Sequence, residues 1–206
     1  MSPIPSAGPD ALPEIPQKCR QIVAVRARGR RAAVRLWQRR GERWHPRGRP
    51  CYGYIGRAGL TARKREGDGA TPMGLYTLGP AFGLAPKPPA RMSYRAITPG
   101  SFWVDDPLSP QYNQWIEKSG SQTWKSAERL MDFPKEYELA LVVGYNTRSR
   151  VPYRGSAIFL HVGDKPTAGC VALPRPALMR LLRRLSPAAY PHILITAGPF
   201  SLRRRF

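Results

Sequence analysis

Apolar and polar side chains alternate through residues 21–44. Val23, Val25 and Ala27 interleave with Arg26 and Arg28, and after Gly29-Arg30 the pattern resumes with Val34 and Leu36 around Arg35. A period of two sends successive side chains to opposite faces of a pleated strand, so this stretch predicts a hairpin turning near Gly29-Arg30. Further strands are predicted at 51–56, 75–78, 101–104, 139–143, 157–160 and 192–196, each a short apolar or β-branched run beside turn residues. Gly144-Tyr145-Asn146-Thr147 reads as the turn closing the run at 139–143.

The spacing changes after Leu173-Pro174. Leu178, Leu181, Leu182 and Leu185 recur at intervals of three and four, with Arg180, Arg183 and Arg184 on the other side, which predicts an amphipathic helix. A second, short helix is expected over 123–131. Residues 63–69 read as a turn-rich loop and 80–89 as a Pro-rich connection. Strands of four to six residues with few helices make the chain β-rich (mainly β with a few helices), one domain with helices packed on a mixed or antiparallel sheet.

Length agrees with that reading: 206 residues build one sizeable core. Five prolines within residues 1–17 favour an extended N-terminal tail, residues 18–198 form the domain, and residues 199–206, with Arg203-Arg204-Arg205, a basic C-terminal tail. The start lacks the charged opening, apolar core and small-residue cleavage site of a secretory signal. No apolar run approaches the roughly 20 residues of a membrane-spanning helix.

A formal net charge of +21 implies attraction to polyanions, whether nucleic acid, anionic lipid or a carboxylate-rich polymer. Ten arginines between Arg26 and Arg49, with Trp37 and Trp44 among them, invite a single-strand stacking surface. No RNA-binding signature accompanies them, so a solvated sheet face over packed tryptophans is preferred and no nucleic acid partner is expected. Gly69 to Gly74 has P-loop spacing, but Leu75-Tyr76 stand where Lys and Ser/Thr would hold phosphate and magnesium. Asp105 and Asp106 are adjacent and point apart on an extended chain, so a turn before Pro107 explains them better than shared acid–base work. Cys19, Cys51 and Cys170 lie far apart and in no metal-ligand spacing with histidine, so neither metal nor cofactor is implied. Cys19 and Cys51 are left open between a disulfide and two free thiols.

Candidate chemistry gathers in residues 156–185. An apolar run delivers His161, a loop with Gly163, Pro166 and Gly169 follows, and Cys170 comes nine positions after the histidine. A free thiol has a pKa of about 8.5, so a neighbouring imidazole that takes its proton raises the reactive thiolate fraction. Backbone N–H groups near Gly169 and Cys170 could face the oxygen of an attacked carbonyl. His192 reads as structural.

Two motifs in order carry a resemblance to a known family. His161 followed by Thr167-Ala168-Gly169-Cys170 is similar to the His, then Ser/Thr-x-Gly-Cys, signature of the L,D-transpeptidase catalytic domain, YkuD type. Asp68-Gly69-Ala70-Thr71-Pro72-Met73-Gly74-Leu75-Tyr76 resembles the T-P-x-G-x-Y/F segment of the same family. The chain departs from it at Val162, where Gly is common, and at Ala172, where Arg or Asn often stands, so it resembles a divergent branch.

The resemblance implies a β-sandwich-like catalytic fold, Cys170 as nucleophile with His161 as base, and peptidoglycan stem peptides as substrate in a bacterial periplasm or cell envelope. It implies that Thr167 braces the loop beside the Gly169 oxyanion donor. Tyr112-Asn113 resembles a polar-aromatic loop near the family's substrate groove, and Tyr145 is a further groove candidate. The expected reaction is transpeptidation through a thioester. An L,D-carboxypeptidase or amidase would finish the same thioester with water, and a basic binding protein for polyanions would need no chemistry at Cys170. An anionic wall or membrane surface is a further partner suggested by the charge; oligomeric state is left open.

Overall fold

Two tight turns and a long third strand set the frame. In a computed structural model describing residues 14–198, apart from 87, 89 and 119, strand β1 (Gln21–Arg28) turns at residues 29–30 into β2 (Arg31–Arg40), which turns at 41–42 into β3 (Arg43–Tyr54). The hairpin is the expected one, with Arg28 opposite Arg31 and Val25 opposite Val34. The strand expected at 51–56 is longer, beginning at Arg43 despite Pro46 and Pro50. Both prolines fall where β3 pairs only with β2, so its other edge asks for no N–H there. Residues 1–13 of the Pro-rich tail and the Arg203–Arg205 tail lie outside the described residues.

On either side of the 63–69 loop, β4 (Leu60–Thr61) and β5 (Thr71–Pro72) pair in parallel, and β6 (Gly74–Gly83) follows. The expected connection at 80–89 therefore begins later, because β6 runs on through Pro80 to pair with the strand at 140–143. Next come β7 (Tyr94–Ala96), β8 (Ser101–Val104), β9 (Gln114–Glu117) and β10 (Ala127–Arg129). The helix expected over 123–131 is a correction: Ala127–Arg129 is a strand antiparallel to β8, followed by a 3-10 turn at Leu130–Asp132. Pairing with a waiting sheet edge outweighed a weak local helical preference.

The chain ends with β11 (Ala140–Val143), β12 (Phe159–Val162), β13 (Val171–Leu173), helix α1 (Arg175–Leu182) and β14 (His192–Thr196). The large sheet runs β11-β12-β13-β3-β2-β1-β14-β6-β7, and β6 also pairs with β11. The first half of β6 meets β14 and the second half meets β11, so the sheet curls into a nearly closed β-sandwich. Sharing one strand removes two free edges at once. Gly53 lets β3 reach β13: a Cβ there would lie 2.0 Å from the Ala172 carbonyl oxygen.

Three apolar clusters hold this single β-rich domain. The main one joins inward side chains such as Val23, Val34, Leu141, Leu160 and Ile193 to the buried face of α1. Truncating Leu182, fully buried there, to Ala is expected to cost about 2–5 kcal/mol. Trp37 and Trp44 pack on a small cluster of Cys19, Ile22, Ala24 and Leu194, as a packed rather than a stacking role requires. The remaining cluster lies between the other face of β11 and β12 and the three-stranded sheet β10-β8-β9, and Cys170 belongs to it. All three cysteines are free thiols, so Cys19 and Cys51 are unpaired.

Candidate active site

Parallel pairing of β12 with β13 fixes where the two candidate side chains point. Leu160 lies opposite Val171 and His161 opposite Ala172, so Cys170, one residue before β13, falls in register with Phe159. Partners in a parallel ladder share a face, which puts His161 and Cys170 on the same side of adjacent strands as diagonal neighbours. Both line one cavity of about 850 Å³, together with Lys64, Glu128, Tyr137 and Gly169. His161 sits inside its strand, which starts two residues later than the apolar run suggests.

The loop between them is pinned at several points. Thr167 N–H donates to the Ile55 carbonyl and the Arg57 N–H donates to the Thr167 carbonyl, fastening the loop to the end of β3. The Thr167 hydroxyl donates to the Cys170 carbonyl at 2.7 Å and accepts from the Gly169 N–H at 3.1 Å. The loop brace is thus Thr167, while the Gly169 amide expected at an oxyanion is engaged by it. Gly169 adopts φ +156°, and a Cβ would meet the Ala70 carbonyl oxygen at 3.1 Å and Ile158 at 3.2 Å. From the other motif, the buried Thr71 hydroxyl donates to the Gly169 carbonyl at 2.7 Å and accepts from the Gly56 N–H at 2.8 Å.

Cys170 is nearly enclosed, 9% exposed. Its thiol donates to the Ala157 carbonyl and its sulfur accepts from the Phe159 N–H, both at 3.2 Å. Burial pushes the thiol up to about 12; the Phe159 amide opposes this, Glu128 adds to it, and Lys64 pulls the other way. The resting group is therefore the neutral thiol. No hydrogen bond among the described residues joins it to His161.

His161 Nδ1 lies 2.7 Å from the Val162 carbonyl. A carbonyl only accepts, so Nδ1 carries the proton and Nε2 keeps a lone pair. Burial lowers the imidazole pKa, against the Val162 bond and the Glu136 charge, so the ring is neutral at pH 7. Tyr137 meets it edge to face, centroids 6.0 Å apart at 89°. The Tyr137 hydroxyl donates to Glu128, a half-buried carboxyl raised to about 7 by desolvation, with Asp105 and Glu136 adding to the shift.

The groove candidates serve as supports. Asn113, in the left-handed region at φ 56°, accepts from Trp103 Nε1 and Ala157 N–H through Oδ1 and donates to the Tyr145 and Asn146 carbonyls. It thereby holds Ala157, itself at φ 51°, whose carbonyl receives the thiol. Tyr112 is buried and donates to Glu66; Tyr145 donates to the Arg154 carbonyl and meets Tyr76 edge to face. None of these three is among the cavity-lining side chains. His192, on β14, donates through Nδ1 to the Tyr190 carbonyl, away from the cavity lining.

Lys64, Glu128 and Tyr137 line the cavity and were absent from the sequence reading. Lys64, 6% exposed, pairs with Asp68 and packs against Gly155 and Gly169. Desolvation would raise Asp68, but Lys64 and the Arg65 and Ala70 amides hold it below the usual carboxylate range. A lysine four residues before an aspartate was the available signal. Tyr137 and Glu128 had none, since their meeting depends on β10 pairing with β8.

Compared with known proteins, residues 21–193 match the model of the L,D-transpeptidase catalytic domain. No match was found among curated proteins. Among solved structures, Bd1075 of Bdellovibrio bacteriovorus is similar at 18% identity and a TM-score of 0.46, covering 87% of this chain and 48% of that one. The helical cell shape determining protein Pgp2 of Campylobacter jejuni is similar at 17% identity and a TM-score of 0.45, covering 85% and 47%. The chain spans about half the length of the solved structures it matches.

Proposed function

The chain belongs to the L,D-transpeptidase catalytic domain family, and we propose that it is a cysteine-dependent L,D-transpeptidase acting on peptidoglycan stem peptides in the cell envelope. The observation that carries this reading is the tautomer of His161: with Nδ1–H held by Val162, Nε2 is the free acceptor on the same sheet face as the Cys170 thiol.

The neutral thiol surrenders its bond to Ala157 when a stem peptide enters, and Nε2 of His161 takes the proton as sulfur attacks the amide carbonyl. The C–S bond forms, the C–N bond breaks, and the imidazolium returns the proton to the departing amine. A thioester is left on Cys170. A second stem peptide's amine then attacks, forming a new C–N bond, releasing sulfur and passing its proton through His161 to the thiolate. We assign oxyanion stabilisation to the Cys170 amide, because the Gly169 amide is held by Thr167. Loop brace and thiol support fall to Thr167, Thr71 and Asn113, with Tyr112 and Tyr145 behind them.

Hydrolysis of the same thioester separates from transfer by product. Purified protein incubated with disaccharide-tetrapeptide muropeptides is expected to give cross-linked dimers by mass spectrometry, and none with Cys170→Ala. Trimmed monomers without dimers would assign hydrolysis instead, and no product from wild type would remove the enzymatic reading.

A further inference from the structure

The mechanism leaves most of the +21 charge unused, and the sheet register shows where a large part of it lies. From Arg20 to Arg65 the only acidic residue is Glu42. Arg28 is opposite Arg31, Arg31 opposite Tyr54, Tyr54 opposite Ala172, and Ala172 opposite His161. Cross-strand partners share a face, so one row of side chains runs across β1, β2, β3, β13 and β12 from a pair of arginines to the proposed base. Beside it, Arg26 lies opposite Ala33 and Ala33 opposite Tyr52, so Tyr52, 70% exposed, stands among the arginines on the same face. Arg26, Arg28 and Arg31 are exposed and in no ion pair among the described residues.

We propose that the outer face of β1, β2 and β3 around Arg26, Arg28, Arg31 and Tyr52 docks the carboxylate-bearing peptidoglycan strand whose stem peptide occupies the His161–Cys170 cavity. The proposal rests on the reading of that cavity as a stem-peptide site. Strands lie about 4.8 Å apart, so the four steps from His161 to Arg28 span roughly 20 Å. A five-residue peptide reaches roughly 17 Å when extended. A stem held at Cys170 therefore sets the rest of its polymer over the arginines. Gly163, at the start of the 163–169 loop, packs against Ala172, so the path skirts the loop at Arg57, which lines the cavity and whose N–H binds the Thr167 carbonyl. This continuity with the cavity favours the substrate's own polymer over nucleic acid or an anionic bilayer, either of which the charge alone would attract. Guanidinium groups pair carboxylates in a planar fork, and an exposed tyrosine ring adds a face for a sugar ring.

Co-sedimentation with purified peptidoglycan sacculi tests this, with R28Q/R31Q compared with R180Q/R183Q, which removes equal charge from α1 and the segment that follows it. Binding by wild type is expected to weaken with salt, to fall about tenfold in R28Q/R31Q and to change less than about twofold in R180Q/R183Q. Tyr52→Ala is expected to weaken it further, and circular dichroism checks the fold of each variant. Cys170→Ala is expected to bind as wild type, so failure of the catalytic chemistry leaves this test readable. Equal losses in the two double variants, no binding of sacculi, or tighter binding of single-stranded DNA or phosphatidylglycerol vesicles at the same ionic strength would each overturn the proposal.

Discussion

The hydroxyl of Thr71 donates a 2.7 Å hydrogen bond to the carbonyl of Gly169, the residue before the thiol, 98 positions later in the chain. Two motifs recognised separately in the sequence are thus one structural unit. The same hydroxyl accepts the Gly56 N–H at the end of β3, so a single buried oxygen ties three segments together.

Replacing that oxygen separates its support role from simple packing. Thr71→Val keeps the shape but leaves a buried carbonyl and a buried N–H without their partner, at a cost of about 1–3 kcal/mol each way. Chemical denaturation is expected to register the loss, and product formation is expected to fall beyond what the unfolded fraction explains. Thr71→Ser restores both bonds and is expected to return most of the stability. Equal behaviour of Val and Ser would deny the hydroxyl its role.

The high pKa of Cys170 makes resting reactivity an alkaline property. With the thiol pushed up to about 12, iodoacetamide alkylation is expected to be slow at pH 7 and to keep rising past pH 9, where an ordinary thiol has levelled off. The sign for stability follows from proton linkage: the folded state holds this proton more tightly than the unfolded state. Its contribution is full below the ordinary thiol pKa of about 8.5 and is lost as pH rises toward about 12. Cys170→Ala is expected to flatten that alkaline decline in thermal melts; an unchanged slope would contradict it.

His161 titrates with the opposite sense. Its folded pKa is lowered by burial, so the folded state binds fewer protons than the unfolded state, and stability is lost as pH falls below the ordinary imidazole value of about 6.5. His161→Gln is expected to remove that acid sensitivity and to lower turnover by about 10²–10⁴, the scale of a positioned general base. Turnover that survives the substitution would assign proton transfer to another group.

How much of this was legible depends on range. The hairpin turning at residues 29–30, the strand at Ser101–Val104 and the helix after Pro174 follow from patterns contained within each segment. His161 and Cys170 were legible because their spacing across a short loop is local. Glu128 was misplaced in a helix because its strand exists only through pairing with β8, a partner more than twenty residues away. Asn113 looked like a groove residue, since a polar side chain next to an aromatic one carries the same signature whether it faces a ligand or, as here, four backbone and side-chain partners.

Asn113 yields a prediction of its own. Its Oδ1 holds the Ala157 N–H at 3.1 Å, and Ala157 sits at φ 51° with its carbonyl on the thiol. Asn113→Ala removes four hydrogen bonds, one buried and three partly buried, and a residue tolerant of the left-handed region, with an expected loss of about 3 kcal/mol or more. Freed from Asn113, Ala157 relaxes and the thiol loses a fixed acceptor. Faster alkylation of Cys170 at pH 8 in the still-folded fraction is the expected signature, and an unchanged rate would uncouple the two residues.

Glu128 and Tyr137 line the same cavity, and Glu128 acts on the thiol through its charge. The carboxyl is raised to about 7 by desolvation, so its folded-state contribution is full below the ordinary glutamate value of about 4.3 and is lost as pH rises through about 7. Glu128→Gln keeps an acceptor for the Tyr137 hydroxyl and removes a charge that the cavity solvates poorly. The variant is expected to melt higher than wild type at pH 8 and nearly equally at pH 4. Because ionised Glu128 also raises the Cys170 pKa, the same substitution is expected to shift the alkylation profile of the thiol to lower pH. Tyr137→Phe, which keeps the ring against His161 but frees the carboxylate, is expected to move that profile far less. Parallel thermal melts and alkylation profiles for the two variants separate charge from packing, and identical profiles in Glu128→Gln and wild type would place the carboxylate outside the electrostatics of the thiol.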